Sequence, residues 1–130
     1  MTGDALLDTT VAVAHLRGVA AVSQRLTEAR ILYLPIIVLG ELHYGIHRSA
    51  RPQENLRQLE RWLRITVVLA GTPATAERYG TLKQQLALAG TPIPENDLWI
   101  AAQALEHGLP LATRDSHFAR VPGLEVLDWR

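Results

Sequence analysis

Residues 5–10 read Ala5-Leu6-Leu7-Asp8-Thr9-Thr10, an apolar run that meets an aspartate. The run predicts a buried opening strand that ends in a carboxylate, and the segment from Thr9 to His15 predicts a short helix. A carboxylate in that place lies at the rim of a parallel sheet, where open α/β folds bind their ligands. Helix capping also explains a lone Asp8, so its role depends on whether other acids meet it.

Strand-like and helix-like segments alternate along the chain. Apolar runs at 31–34, 65–69, 109–113 and 124–127 predict four more strands. Helices are predicted at 19–28, 36–47, 53–64, 74–89 and 95–107, and a turn or short helix at 115–120. Pro35 is expected at the first position of its helix, and Gly108 just after the last one. The alternation predicts a single α/β domain over residues 1–130, an α/β/α sandwich with a short, mostly parallel central sheet.

The composition excludes several classes of protein. The chain has no cysteine, which rules out disulfides, thiolate nucleophiles and cysteine-bound zinc. Its formal charge is zero, so bulk nucleic-acid binding is not indicated, although a local patch is compatible with it. The first four residues lack the basic segment of a signal peptide, and the longest apolar run, 31–40, is too short to span a bilayer. We expect a cytoplasmic protein without membrane contact.

Two further aspartates fall at positions that can meet Asp8. Asp115 follows the predicted strand 109–113 by two residues, so it reaches the same rim if both strands are central and parallel. Asp97 lies in the first turn of helix 95–107, where the helix dipole stabilises a carboxylate by roughly 0.3–1 kcal/mol. The apolar residues 98–102 predict that this helix is buried and begins beside a cleft.

Glu41 is the most informative of the four acids. Its same-face neighbours on a helix are Ile37, Val38, Tyr44 and Gly45, which form a mostly apolar stripe. A charge on such a stripe costs several kcal/mol unless it is paired or bound to a cation. An ion pair with a nearby arginine and a metal site shared with other carboxylates are both open.

A cluster of four acids suggests a particular chemistry. Clustered carboxylates repel one another unless a cation lies between them. Oxygen ligands, with no cysteine and no obvious histidine partner, suit Mg²⁺ or Mn²⁺. Such an ion keeps bound waters, grips phosphate and activates water for attack. The pattern therefore favours hydrolysis of phosphodiesters.

Four segments in order resemble the PIN domain family, and most closely its VapC-type ribonuclease toxins. They are Leu6-Leu7-Asp8-Thr9-Thr10, Val38-Leu39-Gly40-Glu41-Leu42, Asn96-Asp97-Leu98-Trp99-Ile100-Ala101-Ala102 and Leu111-Ala112-Thr113-Arg114-Asp115-Ser116-His117-Phe118. The chain's ending, residues 121–127, fits as well. The resemblance implies a PIN-like fold and a metal-dependent endoribonuclease, the toxin of a type II toxin–antitoxin pair, which hydrolyses RNA with a metal-activated water.

The resemblance also assigns residues and partners. It implies Asp8, Glu41, Asp97 and Asp115 as catalytic residues, and all of these except Glu41 as ligands of Mg²⁺ or Mn²⁺. RNA is the implied substrate. A cognate antitoxin, whose chain blocks the pocket, and a second copy in a homodimer are the implied partners.

Two threonines complete the resemblance. Thr113 is the family's polar residue near the site. Thr10 departs from the pattern, since the family usually has an asparagine there, and that asparagine helps to order the acids.

Two other functions are compatible with clustered acids. One is a non-catalytic PIN-like module that binds RNA or a partner. The other is a receiver-like phosphoacceptor domain, which needs two adjacent early acids and a late lysine after a strand. Asp4 and Asp8 are too far apart for that, and Lys83, the only lysine, falls within a predicted helix.

The remaining polar features have simpler explanations. His43 and His47 have the spacing of zinc ligands, but no second pair is evident. His117 lies beside Asp115, where it is able to contact substrate, and Glu95 neighbours Asp97 as a candidate further outer acid; we expect neither residue to take that role. A stripe of three arginines on helix 53–64 either meets RNA phosphates or faces solvent: Arg57, Arg61 and Arg64.

Overall fold

The computed structural model describes residues 3–130, and a five-stranded sheet forms its centre. The strands are β1 (Ala5–Leu7), β2 (Leu32–Pro35), β3 (Thr66–Leu69), β4 (Leu111–Thr113) and β5 (Val126–Asp128). Their order is β3-β2-β1-β4-β5, and every pairing is parallel. The prediction of a mostly parallel sheet is confirmed. Met1 and Thr2, which belong to the segment judged not to be a signal peptide, lie outside the described residues.

Six α-helices flank the sheet, which confirms the predicted α/β/α layers. They are α1 (Thr9–Leu16), α2 (Ala20–Glu28), α3 (Ile36–His47), α4 (Pro52–Leu63), α5 (Pro73–Leu88) and α6 (Glu95–His107). A short 3₁₀ helix covers Ser116–Arg120. Helix α1 contacts α2 and α3, and α5 packs along α6. Within the part of the chain that the structure describes, no helix is long and apolar enough to cross a bilayer.

Strand β1 occupies the middle of the sheet because its residues tolerate burial on both faces. Leu6 and Leu7 are completely buried, and they pair in register with Leu111 and Ala112 of β4. A parallel sheet covered by helices on both sides requires such apolar strands. Strand β1 is therefore enclosed by two neighbouring strands and by helices on both faces, which fixes the position of Asp8 at its carboxyl end.

The prolines mark helix starts differently from the prediction. The expectation that Pro35 begins a helix is wrong: its ψ of 144° is extended, it pairs with Leu69, and α3 begins at Ile36. Pro52 and Pro73 take that first position instead, so α4 and α5 begin one residue earlier than predicted. Proline suits this position because its missing N–H would have no helical partner.

Strands β4 and β5 are shorter than predicted because the first residues of both predicted runs form turn hydrogen bonds. Leu109 donates its N–H to the Ala104 carbonyl at the end of α6, so β4 begins only at Leu111. Leu124 donates to the Val121 carbonyl, so β5 begins at Val126. Gly108 ends α6 with a left-handed φ of 62°, in agreement with the prediction.

Candidate active site

The sheet has one point where its connections change direction. From β1 the chain moves through β2 to β3 at one edge, and it then returns to β4 and β5 on the other side of β1. Ligands of open parallel sheets bind at the carboxyl ends of the strands at such a point. Asp8 directly follows β1, and Asp115 follows β4 by two residues. The Asp8 N–H donates to the Ala112 carbonyl over 3.1 Å, which extends the β1–β4 pairing up to the crevice.

Asp8 is almost fully buried, with 1% of its surface exposed. It caps α1, and its Oδ1 accepts a hydrogen bond from the Val11 N–H over 3.0 Å. The hydroxyls of Thr10 and Thr113 donate to the same carboxylate over 2.7 and 2.5 Å. Burial raises the pKa of Asp8, the three hydrogen bonds oppose that rise, and the nearby charge of Asp97 adds to it. Both carboxylate oxygens are thus fixed by donors of the chain itself.

The two threonines also join Asp8 to the loop after β4. The Thr10 hydroxyl accepts from the Arg114 N–H, and the Thr113 hydroxyl accepts from the Asp115 N–H, both over 2.9 Å. Each hydroxyl therefore accepts from one backbone amide and donates to Asp8. Thr10 stands where the family usually has asparagine. In the structure this threonine links the start of α1 to the segment that carries Asp115.

His117 joins Asp97 and Asp115. Asp97 lies in the first turn of α6, and Asp115 caps the 3₁₀ helix. His117 Nε2 lies 2.6 Å from Asp97 Oδ2, and His117 Nδ1 lies 2.7 Å from Asp115 Oδ1. Burial raises the pKa of Asp97; the contact with His117 lowers it, and the charge of Asp115 raises it. The sequence did not predict that His117 contacts both aspartates.

Glu41 lies apart from this cluster. It sits on α3, half-buried, and its Oε1 accepts a hydrogen bond from the Thr9 hydroxyl over 2.6 Å. Among residues 3–130 it forms no ion pair, so the arginine partner considered for it is not found there. It lines a mixed pocket of about 170 Å³ that also contains Leu42 and Arg17. A hydroxyl next to Asp8 in sequence is thus its link to the acidic site.

Other polar residues stay outside the site. Glu95 forms a 3.1 Å ion pair with Lys83 and accepts a hydrogen bond from the Tyr79 hydroxyl on the neighbouring helix α5. His43 and His47 are exposed, and neither joins a group of metal ligands within residues 3–130. The arginine stripe on α4 is exposed and lines a separate groove with Glu60.

The donor set of the site fits a divalent cation. Asp97, Asp115 and His117 each offer a ligand atom, and these atoms lie within 4.8 Å of one another. Asp8 adds charge beside Asp97 without belonging to this group. The sequence predicted an oxygen-only ligand set, and the structure adds a histidine nitrogen that faces both aspartates.

A basic groove adjoins the acids. It measures about 540 Å³ and is lined by Thr9, Thr10, Arg17, Arg114 and Arg130, among others. Arg130 pairs with Asp128 over 2.6 Å. The guanidinium groups of Arg17 and Arg114 form no ion pair or hydrogen bond with any residue that the structure describes. Unpaired guanidinium groups beside an acidic site suit a polyanion whose reacting phosphate is held by a metal ion.

Comparison with known proteins gives consistent matches. A family model for the PIN domain matches residues 5–124, a segment that contains all four acids. Ribonuclease VapC2 of Haemophilus influenzae and the tRNA(fMet)-specific endonuclease VapC of Salmonella typhimurium are each 35% identical over 94 residues, 72% of this chain and 71% of each relative. VapBC2 from Rickettsia felis, solved bound to a DNA fragment from its promoter, matches with a TM-score of 0.90 and 26% identity, over 98% of this chain and 99% of that one.

Proposed function

Because this chain belongs to the PIN domain family, we propose that it is a divalent-metal-dependent endoribonuclease and the toxin of a toxin–antitoxin pair. The observation that carries the proposal is the meeting of Asp8, Asp97 and Asp115 at the crevice between β1 and β4. The charge of Asp97 raises the pKa of Asp8, and the charge of Asp115 raises the pKa of Asp97, so these acids lie close enough to share a cation, as a metal-dependent nuclease requires. The match to residues 5–124 supports one PIN-like domain over residues 1–130.

Each acid has a proposed role. Asp97 and Asp115 offer carboxylate oxygens to the cation, and Asp8 completes the negative charge in an orientation fixed by Thr10 and Thr113. A divalent cation held by these residues would supply charge neutralisation for the phosphate oxygens and a water of lowered pKa as the nucleophile. We retain Asp8 as a third metal ligand and Glu41 as the fourth catalytic acid.

RNA is the proposed substrate, and the basic groove supports it. Arg17, which follows the last residue of α1, and Arg114, which follows β4, have unpaired guanidinium groups and line this groove together with Thr10. Such groups bind phosphates on either side of a cleaved bond, and their contribution falls with added salt. Since one relative is named a tRNA(fMet)-specific endonuclease, transfer RNA is the first substrate to test. We propose Mg²⁺ or Mn²⁺ as the cation.

An antitoxin and a second copy of the chain are the proposed protein partners. The similarity to VapBC2 supports an antitoxin partner, and we propose that this partner covers the acidic crevice. Homodimerisation is supported by apolar side chains exposed on and beside edge strand β3, namely Ile65, Val67 and Val68. Light scattering of the chain alone, and with the product of an adjacent small reading frame, tests both. We propose that the protein acts on RNA in the cytoplasm.

The test is cleavage of purified transfer RNA by metal-stripped protein. We expect no cleavage in EDTA, cleavage after Mg²⁺ or Mn²⁺ is added, and products that carry a 5′-phosphate because water is the nucleophile. Sequencing of RNA ends after induced expression then gives the site of cleavage in cells. Binding of RNA without cleavage at any divalent cation would favour the non-catalytic module, and a 2′,3′-cyclic phosphate would contradict attack by water.

A further inference from the structure

The His117 side chain lies between two acids of the site. Its Nε2 is 2.6 Å from Asp97 Oδ2, and its Nδ1 is 2.7 Å from Asp115 Oδ1. These three residues form the single group of possible metal ligands found within residues 3–130. The candidate cation site therefore contains a nitrogen donor, His117, in addition to the carboxylate oxygens predicted from the sequence.

The structure holds the imidazole in this place. The His117 backbone N–H donates to Asp115 Oδ1 over 3.1 Å, so the same carboxylate contacts both the ring and the main chain. The ring also lies against Phe118, with centroids 5.2 Å apart, and Phe118 is completely buried. The His117 side chain is 20% exposed. The ring is therefore partly enclosed and still open to an arriving ion.

The two contacts place different demands on a neutral ring. A neutral imidazole has one N–H donor and one nitrogen with a lone pair. If Nδ1 donates to Asp115, then Nε2 and Asp97 Oδ2 direct lone pairs at each other across 2.6 Å. A proton on the ring or on the carboxyl, or a cation bound by both atoms, resolves this contact. A histidine that donates one N–H to a carboxylate and offers its other nitrogen to a metal ion is a frequent arrangement in metal sites.

We propose that His117 is a nitrogen ligand of the catalytic cation and makes this site prefer Mn²⁺ and Co²⁺ to Mg²⁺. The inference rests on the proposed metal-dependent activity. Mg²⁺ binds oxygen ligands and retains its waters, so a nitrogen in its shell brings little gain. Affinity for mixed nitrogen and oxygen sites increases from Mn²⁺ towards Co²⁺ and Ni²⁺. The nitrogen ligand therefore favours the transition metals and leaves Mg²⁺ binding to the carboxylates.

The test measures metal binding directly, without RNA. Pulsed electron paramagnetic resonance of Mn²⁺ bound to the wild-type protein should show coupling to a directly bound nitrogen nucleus. His117→Ala should abolish that coupling and lower Co²⁺ affinity by about tenfold or more, while Mg²⁺ affinity changes by less than about threefold. His43→Ala is the matched control, since His43 is exposed on α3 outside the site, and it should change neither quantity.

Each result has a definite meaning. Absence of nitrogen coupling in the wild-type protein, or an unchanged ratio of Co²⁺ to Mg²⁺ affinity in His117→Ala, would overturn the inference. Circular dichroism checks the fold of the variant, and His117→Gln, which keeps a polar side chain, serves if the alanine variant unfolds. RNA cleavage with Mg²⁺ but without nitrogen coupling would leave the proposed function intact. Nitrogen coupling without cleavage by any cation would overturn the proposed function alone.

Discussion

Asp8 and Asp97 belong to one acidic site, yet the chain treats them differently. Asp8 is 1% exposed and accepts hydrogen bonds from two threonine hydroxyls and one backbone amide. The Asp97 side chain is 20% exposed, and His117 is its one hydrogen-bond partner within residues 3–130. Burial raises the pKa of both carboxyls. The difference lies in the donors: three donors of the fold occupy most of the lone pairs of Asp8 and leave room for one metal bond, whereas Asp97 keeps most of its lone pairs for a ligand that arrives later.

The largest effect is expected at the open carboxylate. Asp97→Asn should lower RNA cleavage by roughly 10³-fold, since a lost metal ligand removes several kcal/mol of transition-state stabilisation. Initial rates on transfer RNA at saturating metal ion measure this. Glu95→Gln is the control, because Glu95 starts the same helix but pairs with Lys83, and its rate should stay within about twofold of wild type. An equal loss of cleavage rate in both variants would mean that the changes disturb the fold at the start of α6 and do not act through metal binding.

The fixed carboxylate is tested through its donors. Thr113→Val removes the hydroxyl that donates to Asp8 and accepts from the Asp115 N–H, and should lower the free energy of unfolding by about 1.5–3 kcal/mol at pH 7. Urea denaturation measures it. Thr66→Val is the matched control on β3, where the buried Thr66 hydroxyl has no partner in residues 3–130, and it should be neutral or stabilising. Similar losses in both variants would show that Asp8 does not depend on its donors.

A smaller effect is expected beside the acids. Changing Arg17 and Arg114 together to Gln should weaken RNA binding by about tenfold. The slope of log K against log salt concentration should become shallower by about 0.7 for each lost phosphate contact. The same double change at Arg57 and Arg61 alters net charge equally on exposed α4, away from the acids, and should have little effect. Filter binding across a salt series compares them. If the α4 pair matters more, the substrate path runs along the other arginine surface.

The smallest effect concerns stability without metal. Burial raises the pKa of Asp97, so the folded chain disfavours its charged form. Stability linked to this group is complete below the unfolded carboxyl pKa of about 3.9 and is lost as pH rises through the folded value. Asp97→Asn should therefore raise the melting temperature in EDTA at pH 7 and leave it unchanged at about pH 3.5. A lower melting temperature at pH 7 would mean that the contact with His117 outweighs burial.

Much of the acidic edge was predictable from strand ends. The carboxyl ends of neighbouring parallel strands meet at one edge, so Asp8 and Asp115 were placed together once β1 and β4 were both central. Asp97 followed from a buried helix whose first turn faces that edge. These inferences needed only the direction of each element, which hydrophobic pattern and capping specify locally.

His117 and the partner of Glu41 were not predictable in this way. The contact between His117 and Asp97 joins residues 20 apart and depends on a 3₁₀ turn and one ring orientation, neither of which periodicity specifies. A histidine two residues after a capping aspartate was the available signal. Glu41 was correctly singled out as a charge on a mostly apolar stripe, but its partner is the Thr9 hydroxyl, 32 residues away. Such contacts depend on how segments distant in sequence pack together, which local sequence patterns do not specify.

The capping role of Asp8 has a practical consequence for work with this protein. Studies of a toxic enzyme require an inactive version that can be produced in quantity and still binds its partners. Changing Asp8 would remove a helix cap and leave two threonine hydroxyls without their acceptor, so the product would differ from wild type in shape as well as in chemistry. Asp97→Asn changes one charge and keeps an oxygen for His117. Asp97→Asn is therefore the better inactive variant for crystallising the chain with an antitoxin.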